Sequence, residues 1–228
     1  MIARPLSGAC GCRRAGRNPG LPRRAQGSIA ADSPLPWSGK GFAPPFLADS
    51  HRGDWGGRRA DRMITRGFTK GDAASEAVYS DCEQYRYLLT RTWGTGPKAL
   101  FVMLNPSTAT EVQNDPTVER CERRARALGY GAFRVTNIFA YRATDPKVMR
   151  SVADPVGPDN DAAILDSMDW ADRVVCAWGN HGLHLDRGTM VASLLRRSGK
   201  PLFHLGLTGQ GQPRHPLYVG YDQQPQPW

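Results

Sequence analysis

Ten residues, Ala99 to Thr108, constrain the fold more than any other stretch: ALFVMLNPST. Ala99 to Leu104 is an unbroken apolar run, and a short run of this kind reads as a strand buried on both faces, as in the middle of a parallel sheet. Asn105 follows directly, and Pro106 ends the pairing because it has no N–H to donate. Ser107 and Thr108 then add hydroxyls. In open α/β sheets, ligands bind beyond the carboxyl ends of the strands. Asn105, Pro106, Ser107 and Thr108 therefore stand where such a fold carries its chemistry, although the same residues also suit an ordinary turn.

The rest of the chain repeats the pattern. Asp115-Pro116 opens a helix, with a carboxylate cap and proline at the first position, and Val118, Cys121, Ala125 and Leu128 share one face. Gly129 ends it. The arginines around Arg124 read as a solvated face or, alternatively, as a grip on phosphate. Phe133 to Phe139 is a second strand, Pro158 to about Ala171 a second helix and Arg173 to Trp178 a third strand. A helix capped by Asp186 follows, then a strand from Leu202 to Leu207. The segment Lys147 to Gly157 reads as a long connection.

Four strand–helix alternations predict an α/β fold, a three-layer sandwich about a mainly parallel, four-stranded central sheet. The segments AVYS and YRYLLTRTW add an N-terminal β-hairpin or edge strands. Polar clusters follow each of the four strands: Asn105 to Thr108, then Asn137 to Arg142, then Trp178-Gly179 with His181, then Arg214-His215.

Before this body the texture is different. Residues 1–62 are rich in Gly, Pro, Arg and Ser and hold eleven Lys and Arg against four Asp and Glu, so most of the formal charge of +9 lies there. Such a segment is expected to be disordered, or to precede the working initiator, Met63. It is Arg-rich and acid-poor, as transit peptides are, but lacks the apolar core of a secretory signal. Residues 63–76 read as a linker, 77–220 as the α/β domain and 221–228 as a flexible tail. The remaining body has a net charge of only +2, which does not indicate tight duplex binding.

Five cysteines, Cys10, Cys12, Cys82, Cys121 and Cys176, form no metal-ligand spacing and suit a reducing cytoplasm. His181 and His184 precede a helix cap and do not read as a metal pair. No apolar run approaches the ~20 residues of a membrane helix. A cytoplasmic monomer with no cofactor, metal or membrane is expected.

In order, LNPST, VTNIF, VVCAWG and RHPL resemble the motifs of the uracil-DNA glycosylase superfamily, of the mismatch-specific and thymine-DNA type. More closely, MLNPSTA, NDPT, NIFAYRATDP, DPVGPDND, AWGNHG and RHPLY are similar to the bacterial domain-of-unknown-function family numbered 1643, over about Val78 to Val219. The glycosylase resemblance implies hydrolysis of an N-glycosidic bond of a base in DNA or in a nucleotide. It implies catalytic roles for Asn105, which would orient the water, and for His215, which would stabilise the departing base. It implies substrate contacts from Pro106, Ser107, Thr108, Asn137, Phe139, Arg142, Trp178, Gly179, His181 and Arg214. The partner would be a nucleobase, a nucleotide or single-stranded DNA. A non-catalytic nucleotide- or nucleic-acid-binding module and an enzyme of modified-nucleotide metabolism are the alternatives.

Overall fold

A computed structural model describes residues 63–228 as an α/β fold built on one sheet. The expectation for residues 1–62 lies outside the described residues. The strands are β1 (Met63–Lys70), β2 (Ala73–Ser80), β3 (Arg86–Thr92), β4 (Lys98–Met103), β5 (Ala132–Asn137), β6 (Arg173–Ala177), β7 (Leu202–His204) and β8 (Gln226–Pro227). The helices are α1 (Pro116–Ala127), α2 (Pro146–Ser151), α3 (Asn160–Trp170) and α4 (Arg187–Arg196).

The sheet order is β1-β2-β3-β5-β4-β6-β7-β8. This corrects the expected mainly parallel, four-stranded sheet: the sheet is mixed, with eight strands, and four of its seven neighbouring pairs are antiparallel. The strands read from the sequence as parallel, β5, β4, β6 and β7, are adjacent to one another and pair in parallel. The β1-β2-β3 meander continues the sheet by pairing antiparallel with β5, and β8 closes the other edge against β7.

Two boundaries also change. Residues 63–76, expected as a linker, form β1 and the start of β2, joined by a tight turn at Gly71 with φ +62°. β1 is an edge strand whose middle faces solvent, so no apolar alternation marks it. The expected flexible tail is fastened instead. Trp228 N–H donates to Leu202 O at 2.9 Å, and its ring meets Trp178 edge-on at 5.5 Å.

Alternation along the strands divides the core. Phe101, Met103, Phe133, Val135 and Ala177 pack with Val118, Cys121 and Ala125 of α1. Leu100, Val102, Val174 and Cys176 pack with Ile164 and Met168 of α3 and with Val191 and Leu195 of α4. Asp115 caps α1 as read from the sequence, accepting from Thr117 N–H at 2.9 Å and Val118 N–H at 2.8 Å. The connection after β5 is not simply extended, because Asp145 caps α2 in the same manner.

Candidate functional site

Parallel pairing sets Met103 beside both Asn137 and Ala177, so the chain leaves β4, β5 and β6 at one edge of the sheet. The loops beyond these ends are stitched together. Asn105 Nδ2 donates to Pro106 O at 3.0 Å and to Ala143 O at 2.7 Å, and Ala143 N–H donates to Pro106 O. Both of its neighbours are carbonyl oxygens, so the nitrogen must face them and Oδ1 is left as the acceptor.

The far end of the same loop is held from beneath by two arginines that the sequence reading did not single out. Arg86 is 1% exposed, and its Nη1 donates to Ala109 O at 2.6 Å. Arg91 donates to Thr110 O, to Asn114 Oδ1 and to Ser75 Oγ. Tyr79 Oη adds a hydrogen bond to Glu111 at 2.9 Å. Burial lowers the Arg86 pKa to about 10, against the attraction of Asp115, so the guanidinium stays charged at neutral pH. The signal for these residues was present in YRYLLTRTW. An arginine inside an otherwise apolar strand must find acceptors, and here it finds the carbonyls of a loop.

Asn137 ends β5. Strand alternation puts it on the α1 side with Phe133 and Val135. It is 1% exposed, and neither Nδ2 nor Oδ1 has a hydrogen-bond partner. Its backbone is satisfied, because Asn160 Nδ2 at the start of α3 donates to Asn137 O at 2.9 Å. Only the side-chain amide is left over.

His215 reaches the same edge through the loop after β7. Gly179 N–H donates to Pro213 O at 2.7 Å, and a methyl placed on Gly179 would sit 3.6 Å from His215 Cβ. Gly179 adopts φ +69°, a left-handed conformation that suits glycine. His215 Nδ1 is buried without a partner. Burial is the largest influence on its pKa, followed by the opposing attraction of Asp115 and then by His181, and the net effect lowers it to about 4. The imidazole is therefore neutral at pH 7, able to donate one hydrogen bond and accept one.

This has a consequence for stability. The unfolded chain binds a proton at His215 near pH 6.5 and the folded chain only near 4, so across that window the unfolded state holds more protons. Stability is expected to fall as pH drops from about 6.5 to about 4, and His215→Gln should flatten that part of a urea-midpoint profile.

The other expected residues are divided between the core, the surface and a cleft. Phe139 and Trp178 are buried with Leu104, Ile164 and Val191 on the α3/α4 side of the sheet, and so form core there. Trp178 Nε1 donates to Gln212 at 2.9 Å. His181 is exposed, and Arg214 is exposed with its Nε on Leu207 O. Ser107, Thr108 and Arg142 line a cleft of about 450 Å³ with Glu83, Gln84, Tyr141, Ala143 and Thr144.

Among the described residues no helix is long and apolar enough to cross a membrane. Residues 86–217 match the model of a family described as a protein of unknown function, DUF1643. No curated protein and no solved structure matches the chain.

Proposed function

Since the chain belongs to the DUF1643 family, which has no assigned activity, we propose a function from its own residues: it holds a nucleobase at the carboxyl edge of β4, β5 and β6 and hydrolyses the bond joining that base to its sugar. The observation that carries this reading is Asn137, whose carboxamide is fully buried with its donor and its acceptor both unpaired. A buried polar group without a partner costs roughly 1–3 kcal/mol. A base edge offers an acceptor beside a donor, the complement of a carboxamide.

The chemistry follows from the neighbouring groups. Asn105, its nitrogen fixed by two carbonyls, would present Oδ1 to a water. That water would attack the anomeric carbon while the glycosidic electron pair leaves with the base. The neutral His215 would donate a hydrogen bond to the oxygen where charge collects, and the water's proton would pass to solvent or to the departed base. The motif order is similar to that of the uracil-DNA glycosylase superfamily, and a fold of that type belongs to this proposal. So do a cytoplasmic setting, for which the buried thiols of Cys121 and Cys176 are the support, and action as a monomer on single-stranded DNA or a nucleotide.

One observation favours the alternative of a non-catalytic nucleotide-binding module. Asp115, the acid that acts electrostatically on His215, uses Oδ1 to cap α1, and a carboxamide rather than a carboxylate occupies position 105. General-base assistance would then be weak. Single-turnover base release from single strands carrying uracil, xanthine or hydroxymethyluracil separates the two readings. Slow release is expected on at least one of them. None on any would leave the binding module.

A further inference from the structure

The proposed hydrolysis places no part of a ligand in the cleft beside the Asn105 loop. We propose that it is a phosphate site, so that the natural ligand is a phosphate-bearing nucleotide unit and not a free base or nucleoside. The base half of this inference rests on the proposed function, and the phosphate half stands apart from it.

The cleft is built for an anion. Ser107, Thr108, Thr144, Gln84 and Tyr141 bring polar groups to its walls, and Arg142 brings a charge. The one carboxylate there, Glu83, is already paired with Arg66 at 2.6 Å. Among the described residues Arg142 has no acidic partner. Its Nη1 donates to Glu83 O at 3.1 Å, its guanidinium lies over the Tyr79 ring at 5.3 Å, and its Nε is buried with nothing to bond.

Arg86 is fully buried, also with an unpartnered Nε, and close enough to Arg142 for the two cations to repel one another. No ion pair among the described residues includes either arginine. Asp115 attracts Arg86, but its carboxylate is turned to the helix N–H groups. Two adjacent guanidiniums with so little counter-charge leave a local excess of positive potential, which a phosphate at Arg142 would neutralise.

The position suits a nucleotide. The cleft residue Ala143 is the acceptor for Asn105 Nδ2 and the donor to Pro106 O, so the phosphate site adjoins the loop that would hold the water. A ligand spanning both would carry its base toward the strand ends and its phosphate toward Arg142.

The test uses the full chain and four probes: inorganic phosphate, deoxyuridine, deoxyuridine 5′-monophosphate and a short single strand containing uracil. Inorganic phosphate is expected to raise the melting temperature of the wild type and to compete with the monophosphate. The monophosphate is expected to bind about tenfold tighter than the nucleoside, the effect of one charge-assisted contact. Arg142→Gln should bring it down to the nucleoside's level. Thr108→Glu, a surface change that puts a negative charge at the cleft, should do the same if the arginine variant folds poorly. A single strand binding tighter than the monophosphate would assign the site to a phosphodiester, and the reverse to a free nucleotide. Equal affinity for nucleoside and monophosphate, no stabilisation by phosphate, or a preference surviving both variants would overturn the inference. Asn137→Leu reports on the base reading separately, through deoxyuridine affinity.

Discussion

Asn137→Leu is expected to make the protein more stable while costing it its ligand. The residue is 1% exposed at the end of β5, and both atoms of its amide lack partners. Leucine has nearly the same shape and nothing to satisfy. Removing an unpaired amide from a buried site should return on the order of 1–3 kcal/mol. For a body of this size each kcal/mol raises the melting temperature by roughly 2–4 °C. The same change removes a side chain able to donate and accept at once, so base affinity should fall by at least about tenfold. Opposite signs for stability and binding are the signature of a group kept for function at the expense of the fold. Thermal melts paired with equilibrium binding decide the matter. If the leucine variant is destabilised, the amide has a structural task and the base-reading role fails.

The sequence made Asn137 visible for the reason that also limited what else it could show. A polar residue closing an apolar strand is conspicuous, and the buried run Ala99 to Leu104 announces its own place in the sheet because both its neighbours are strands. Strand period also governs where side chains go, and it parts residues that are neighbours in sequence. Ala177 and Trp178 are consecutive and point to opposite cores, so the tryptophan after the third buried strand packs against α4 and away from the Asn137 side. Phe139 is two residues past Asn137 and would share its face if β5 continued. The strand stops at Asn137, and the turned chain buries Phe139 with Ile138 on the far side.

β1 carried no pattern, because its exposed middle has no apolar face to record. α2 was legible and went unread, since Asp145-Pro146 repeats the cap and proline that identified α1. Buried Arg86 and Arg91 illustrate a different limit. Composition counts them as surface charge, and only the fold supplies the carbonyls of Ala109 and Thr110 that make their burial tolerable.

Asn105→Ala is expected to lower single-turnover base release by about 10²- to 10³-fold, the loss seen when one preorganised polar group is removed from a reacting centre, with base affinity little changed. Pro106 O and Ala143 O both take the amide nitrogen, so Oδ1 is held in one direction without help from a ligand. A group fixed in that way costs nothing to orient when the reaction occurs, and its effect is confined to the step in which water attacks. Asn105→Asp sharpens the test. A carboxylate would be a stronger base, yet it would set an acceptor against two carbonyl oxygens that now receive N–H donors. It should therefore fail to raise the rate and should destabilise the protein, because Ala143 O loses its donor and Pro106 O keeps only the Ala143 N–H. A rise in turnover in the Asn105→Asp variant would mean that the side chain works as a base free of those carbonyls. Unchanged turnover in Asn105→Ala would remove the residue from the reaction and leave the strand edge with a binding role alone.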